Sequence, residues 1–110
     1  MNLHAHSVAL DAIRALRPIV LAVARHDRGL AQQMREAASS VVLNLGEAQR
    51  SDPGNARARL HTAAGSAQET RSALQLACGW GYVEPGSVEP ADELLDRVAA
   101  MLYRLTHPRS

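Results

Sequence analysis

Along almost the whole chain, apolar residues recur at steps of three and four, in four blocks separated by turn formers, and that spacing restricts the fold to packed helices. Ile13, Leu16, Val20 and Val23 mark the first block, and Leu30, Met34, Ala37, Val41 and Leu45 the second. Leu60, Ala63, Ala64, Ala67, Leu74 and Ala77 mark the third, and Leu94, Leu95, Val98, Met101, Leu102 and Leu105 the fourth. Strands would need alternating β-branched runs bounded by turns, and the nearest case, Val41-Val42, sits inside a helical pattern. Twenty alanines reinforce the reading, because Ala has the highest helix propensity and its small side chain lets helices approach closely.

The breaks between blocks set the expected boundaries, with helices at about residues 8–26, 29–50, 55–79 and 88–105 in one domain spanning 1–110. Ser7 is the candidate N-cap of the first helix. Pro18 falls within that helix, where it removes the hydrogen bond to the Arg14 carbonyl at a cost of ~3 kcal/mol, so a kink or break is expected. Arg25-His26-Asp27-Arg28-Gly29 is a polar connector, and Ser51-Asp52-Pro53-Gly54-Asn55 is the clearest break in the chain. In Gly79-Trp80-Gly81-Tyr82 either glycine can take the left-handed conformation that closes a helix. Glu84-Pro85-Gly86-Ser87 reads as a loop, with Pro90 in the first turn of the last helix. Thr106 to Ser110 reads as a frayed tail. Short connectors place successive helices side by side, so the expected architecture is an all-α, antiparallel up-down-up-down four-helix bundle.

Composition narrows the class. A chain of 110 residues hides roughly 65% of the surface its unfolded form exposes, enough for a core without disulfides or metal. One Cys forms no internal disulfide, and no Phe, one Trp and two Tyr leave a core of Leu, Val and Ala. The chain has no basic start followed by an apolar run, and no stretch approaches the ~18 apolar residues of a membrane span. The expectation is a cytoplasmic protein with no membrane partner.

Two segments carry a family likeness. Gln33-Met34-Arg35-Glu36-Ala37-Ala38-Ser39-Ser40-Val41 and Asn44-Leu45-Gly46-Glu47-Ala48-Gln49-Arg50-Ser51 resemble the Q-L-R-R-A-A-x-S-I and N-I-A-E-G-x-x-R-S segments of the bacterial four-helix-bundle family encoded by 23S ribosomal RNA intervening sequences. Ala64-Gly65-Ser66-Ala67-Gln68-Glu69 is similar to that family's A-x-G-S-x-x-E stretch, and Gly81-Tyr82 stands where its G-Y closes the third helix. The match runs from about Leu30 to Tyr82, with departures at Glu36, which replaces an Arg, and at Gly46 and Ala48. The resemblance implies a cytosolic four-helix bundle assembled as a homopentameric ring without established catalytic activity. More distant relatives look like accessory proteins of diversity-generating retroelements, whose rings bind nucleic acid and a reverse transcriptase.

On the second helix Ser40, Asn44 and Glu47 step by four and three along one stripe, with Arg35 and Arg50 near its ends, and on the third Ser66 and Glu69 stack in the same way. One reading is a register-setting network in which Arg35 or Arg71 pairs Glu47 or Glu69. The other is a ligand or oligomer contact made by Asn44, Glu47 and Arg50. Glu47 and Glu69 have no neighbouring nucleophile to serve as an acid/base pair. His4, His6, His26, His61 and His107 scatter toward helix ends without an E-x-x-H motif, so no metal, cofactor or catalytic residue is expected. Cys78 reads as a small buried side chain. Gly46 and Gly65, costly within helices, are expected where the second and third helices cross closely.

All twelve basic residues are Arg, and the formal charge is +1. The first 83 residues hold nine Arg against six acids, whereas residues 84–110 hold three against five. Arg50, Arg57, Arg59 and Arg71 cluster around the second turn and third helix, a pattern suited either to phosphates or to an ordinary solvated face. The opposed halves also suit a head-to-tail contact between basic third and acidic fourth helices of neighbouring subunits. The expected function is therefore a non-enzymatic oligomeric scaffold that engages RNA or a nucleic-acid-associated protein through those arginines. The alternative is a protein-interaction module with no nucleic-acid role.

Overall fold

In a computed structural model that describes residues 4–108, four helices occupy α1 (His4–Ala24), α2 (Arg28–Gln49), α3 (Pro53–Gly79) and α4 (Pro85–Thr106), and no strand forms among the described residues. Each helix packs on two neighbours in the cyclic order α1, α2, α3, α4. The molecule measures 44 × 22 × 18 Å, its long axis set by α3, whose 27 residues span about 40 Å at 1.5 Å per residue.

Caps fix the helix starts. Asp27 Oδ1 accepts from the Leu30 amide at 2.9 Å and Asp52 Oδ1 from the Asn55 amide at 2.9 Å, so the Asp residues inside both connectors are the N-caps of α2 and α3. Pro53 follows in the first turn of α3, where its missing N–H costs nothing. Pro85 does the same for α4, which therefore starts ahead of the expected position; Glu84-Pro85-Gly86-Ser87 is a helix entrance, and Pro90 lies within the helix with its ring exposed. The acidic residues of α4 lie beyond its first turn.

Ser7 is not a cap: α1 already includes His4, and Ala5, Val8 and Ala9 are buried, anchoring its first turns. Pro18 does not break α1. Leu16, Ile19 and Val23 pin the helix on both sides of the proline, while Pro18 and Arg14 are exposed, on the side where a backbone carbonyl without an amide donor is open to hydration. The closure of α3 uses Gly81, at φ +78°, rather than Gly79. The Gly81 amide donates to the Cys78 carbonyl and the Tyr82 amide to the Ala77 carbonyl, both at 2.9 Å, which is the Schellman arrangement.

Two apolar clusters fill the bundle. Leu16, Ile19, Val23, Leu30, Met34, Leu74, Val88 and Leu95 form one, and Val8, Val41, Leu45, Leu60, Val98 and Leu102 the other. Half-buried Leu94 packs against both. Each fully buried Leu or Val contributes about 1.5–3 kcal/mol relative to its exposed state. Ile13, Val20, Ala64 and Met101 are only half-buried, and Leu105 is 37% exposed, so the apolar stripes overrun the core at their edges. No helix among the described residues is long and apolar enough to cross a membrane. Thr106, expected in a frayed tail, is buried and donates to the Leu102 carbonyl at 2.8 Å; Arg109 and Ser110 lie outside the described residues.

Candidate nucleic-acid interface

Where α2 hands over to α3, the sequence concentrates basic side chains and the fold keeps them at the surface. Arg50 caps the C-terminus of α2 and meets Glu47 at 3.4 Å across an exposed i,i+3 pair, a contact worth under about 1 kcal/mol. Ser51 Oγ donates to the Glu47 carbonyl at 2.8 Å. The Asp52 carboxyl is held below its ordinary value chiefly by the Asn55 amide, then by the Asn55 side chain, so the capping carboxylate stays charged.

Arg57 and Arg59 leave the first two turns of α3 in different directions. Arg57 Nη2 donates to the Thr106 carbonyl at 3.1 Å, satisfying one of the open carbonyls at the end of α4. Arg59 Nη1 donates to Asn44 Oδ1 on α2 at 3.4 Å. Both arginines are exposed, and among the described residues neither meets a carboxylate, so their charges remain available there.

Asn44 links Arg59 to the middle of the bundle. Its Nδ2 donates to the Ser40 carbonyl at 2.9 Å and to Ser40 Oγ at 3.0 Å, and the Ser40 and Ser66 hydroxyls share a hydrogen bond at 2.7 Å. Buried Thr70 donates to the Ser66 carbonyl at 2.8 Å. Among the described residues no buried side-chain nitrogen or oxygen lacks a partner.

The expected ion pairs of this network do not form. Arg71 pairs with Asp92 and Asp96 on α4, not with Glu47 or Glu69, because its place on α3 faces α4 rather than α2. Arg71 is thus neutralised within the chain, more than three helical turns along α3 from Arg57 and Arg59, and Asp92 and Asp96 are engaged by the same chain. Arg35 and Glu69 are exposed outside the network. Gly65 is no crossing point, since a Cβ there would meet nothing within 4 Å, while at Gly46 the nearest neighbour would be His6 of α1 at 4.0 Å. Cys78 is only half-buried.

Three rings border the same end, where the fold brings His61 to the Tyr103 and His107 pair from more than forty residues away. Tyr103 stacks on His107 with centroids 4.0 Å apart and planes 14° from parallel, and His61 meets His107 edge-on at 6.5 Å. His107 Nδ1 lies 3.0 Å from the Tyr103 carbonyl and 3.1 Å from Thr106 Oγ1, which holds the ring against the end of α4. Two four-residue spacings carried the signal: Arg57 to His61 on α3 and Tyr103 to His107 at the end of α4. Among the described residues no three His, Cys, Asp or Glu side chains gather closely enough to hold a metal ion.

An apolar groove of about 370 Å³ lies between α1 and α2, lined by Ile13, Leu16, Val20, Leu21 and Met34 and bordered by Arg17 and Arg35. A cleft of about 410 Å³ at the basic end is bordered by Ser51, Pro53, Arg57 and Leu105.

Comparison with known proteins agrees with this architecture. The chain superposes with a TM-score of 0.84 on the crystal structure of a protein of unknown function from the S23 ribosomal protein family of Bacteroides thetaiotaomicron, at 17% identity over 94% of this chain and 98% of the other. At that identity the likeness shows the fold alone. None of the curated proteins gives a significant match. The model of the family described as 23S rRNA-intervening sequence protein matches residues 5–104, and the chain belongs to that family.

Proposed function

We propose that the protein is a non-enzymatic scaffold that binds RNA, or an RNA–protein complex, through the end carrying Arg50, Arg57 and Arg59. The observation that carries this reading is the divergence of Arg57 and Arg59 to the two sides of α3, each held by a neutral oxygen and without a carboxylate partner among the described residues. Guanidinium groups so placed bind phosphates without base specificity. The family's association with the 23S rRNA intervening sequence supports the same partner class. Glu47 engaged with Arg50 and Glu69 on the surface fit a structural chain better than an acid/base pair.

The helices are read as an up-down-up-down bundle. His6 lies near Gly46, and Leu16 and Met34 line one groove, so α1 and α2 run in opposite senses; Arg57 with Thr106 and Arg71 with Asp92 give the same relation for α3 and α4. A cytoplasmic pentameric ring, implied by the family resemblance, would multiply the three arginines by the number of subunits.

A second reading, a protein-interaction module, is favoured by the α1–α2 groove and by exposed Leu21, Leu43, Leu76 and Trp80. Size-exclusion chromatography with light scattering, monitored at 260 and 280 nm at low and high salt, separates the readings. Mass near five subunits with salt-removable material absorbing at 260 nm is the expected result. A nucleic-acid-free pentamer favours the protein module, and a monomer contradicts the ring.

A further inference from the structure

We propose that Tyr103 and His107 form a stacking platform for an unpaired base, which makes the basic end a site for single-stranded rather than duplex RNA. The inference rests on the RNA-binding reading and adds to it the kind of RNA that is held. Tyr103 is 62% exposed although its ring is already ordered against His107. A large aromatic side chain kept at the surface in a fixed, near-parallel stack offers a flat face at little further cost in side-chain freedom. His61 holds His107 from the side.

The surrounding charge fits a strand whose backbone passes beside the platform. Arg57 is fixed by the carbonyl of Thr106, the residue next to His107, and Arg104, next to Tyr103, is exposed with no ion pair among the described residues. Phosphate-directed arginines beside an exposed aromatic face are the elements from which sequence-tolerant single-strand sites are built. In a duplex the bases are stacked on each other and present only their edges, so the platform has nothing to receive.

Fluorescence anisotropy at low salt with a short labelled single-stranded RNA, and with the blunt duplex of the same sequence, tests the inference on the intact protein. The single strand is expected to bind more tightly than the duplex. Tyr103→Ala is expected to weaken single-strand binding roughly 5- to 100-fold with little effect on the duplex, and Tyr103→Phe to retain it. Because Tyr103 is exposed, the Ala variant keeps the core intact, which circular dichroism and light scattering verify. Equal affinity for both RNAs, or single-strand binding unmoved by Tyr103→Ala, overturns the platform while leaving RNA binding in place. Loss of the oligomer in Tyr103→Ala assigns the ring to a subunit contact and also overturns it. Binding of neither RNA by the wild-type protein removes the RNA reading itself.

Discussion

Arg71 grips Asp92 with two hydrogen bonds, Nε to Oδ1 at 2.9 Å and Nη2 to Oδ2 at 3.2 Å, and its remaining Nη1 reaches Asp96 Oδ1 at 3.0 Å. This fork joins α3 to α4 in a setting where Arg71 is only 24% exposed. The hydrogen bonds it donates to Asp92 raise the guanidinium's pKa further above its ordinary value, against the opposing effect of burial. Arg71→Ala is expected to cost about 1–2 kcal/mol in urea unfolding, with Arg71→Lys recovering only part because an ammonium lacks the planar fork. RNA affinity is expected to be unchanged in both variants. A large affinity loss without loss of stability would return Arg71 to the binding surface.

The Ser40–Ser66 hydroxyl pair joins α2 to α3 at the middle of the bundle. Ser66→Ala leaves Ser40 with its Asn44 contact but removes the interhelical bond, and about 1 kcal/mol of stability should be lost. Ser40→Ala should cost a similar amount, and the double variant less than both together, since each single change already breaks the shared bond. Strict additivity in denaturant titrations would show that the pair is not coupled.

Gly65 and Gly81 should respond in opposite directions to the same change. Gly65 is exposed in mid-helix with open space at its Cβ, so Gly65→Ala is expected to stabilise the isolated chain by about 1 kcal/mol. Gly81 sits at φ +78°, and Gly81→Ala is expected to destabilise by roughly 1–2 kcal/mol. Thermal melts of the two variants check this. Loss of oligomer in Gly65→Ala would place that face of α3 in a subunit contact.

Tyr82 donates from its hydroxyl to Asp27 Oδ2 at 3.3 Å while Asp27 Oδ1 caps α2, so one carboxylate ties the α1–α2 turn to the α3–α4 turn. Partial burial first, and then the negative charge of Asp27, raise the Tyr82 pKa above its ordinary 10.0. A raised folded-state pKa means that this contribution is fully present below the unfolded value and is lost as pH rises through the folded one. Between about pH 9 and pH 11 the wild-type protein is therefore expected to lose more stability than Tyr82→Phe, read as the difference between their urea midpoints. Parallel losses in the two proteins would contradict the shift.

The helical character of the chain and most of its core were legible because a period of three and four fixes which residues of one helix face inward. Met34, Val41, Leu45, Leu74, Leu95 and Leu102 are all buried as their spacing requires. Helix starts were less legible: Pro85-Gly86-Ser87 has loop composition, yet a proline in the first turn needs no amide hydrogen, and the alanines of α1 extend it past Ser7. The partner of Arg71 was not legible at all. Periodicity orders residues within a helix, but whether Arg71 meets Glu47 or Asp92 depends on how α3 is rotated between its two neighbours. The Ser40, Asn44 and Ser66 contacts were readable from stacking positions, whereas Arg59 joined them through a connector whose geometry no spacing specifies.

The most direct test is the salt dependence of single-stranded RNA binding by the wild-type protein and by a variant carrying Arg50→Glu, Arg57→Glu and Arg59→Glu together. The wild-type protein is expected to bind at low salt with affinity falling steeply as salt rises, and the variant to lose binding, each phosphate contact removed lowering the slope by about 0.7. Retention of RNA by the folded variant at low salt, with an unchanged slope, would contradict the assignment of this end of the bundle as the RNA-binding surface.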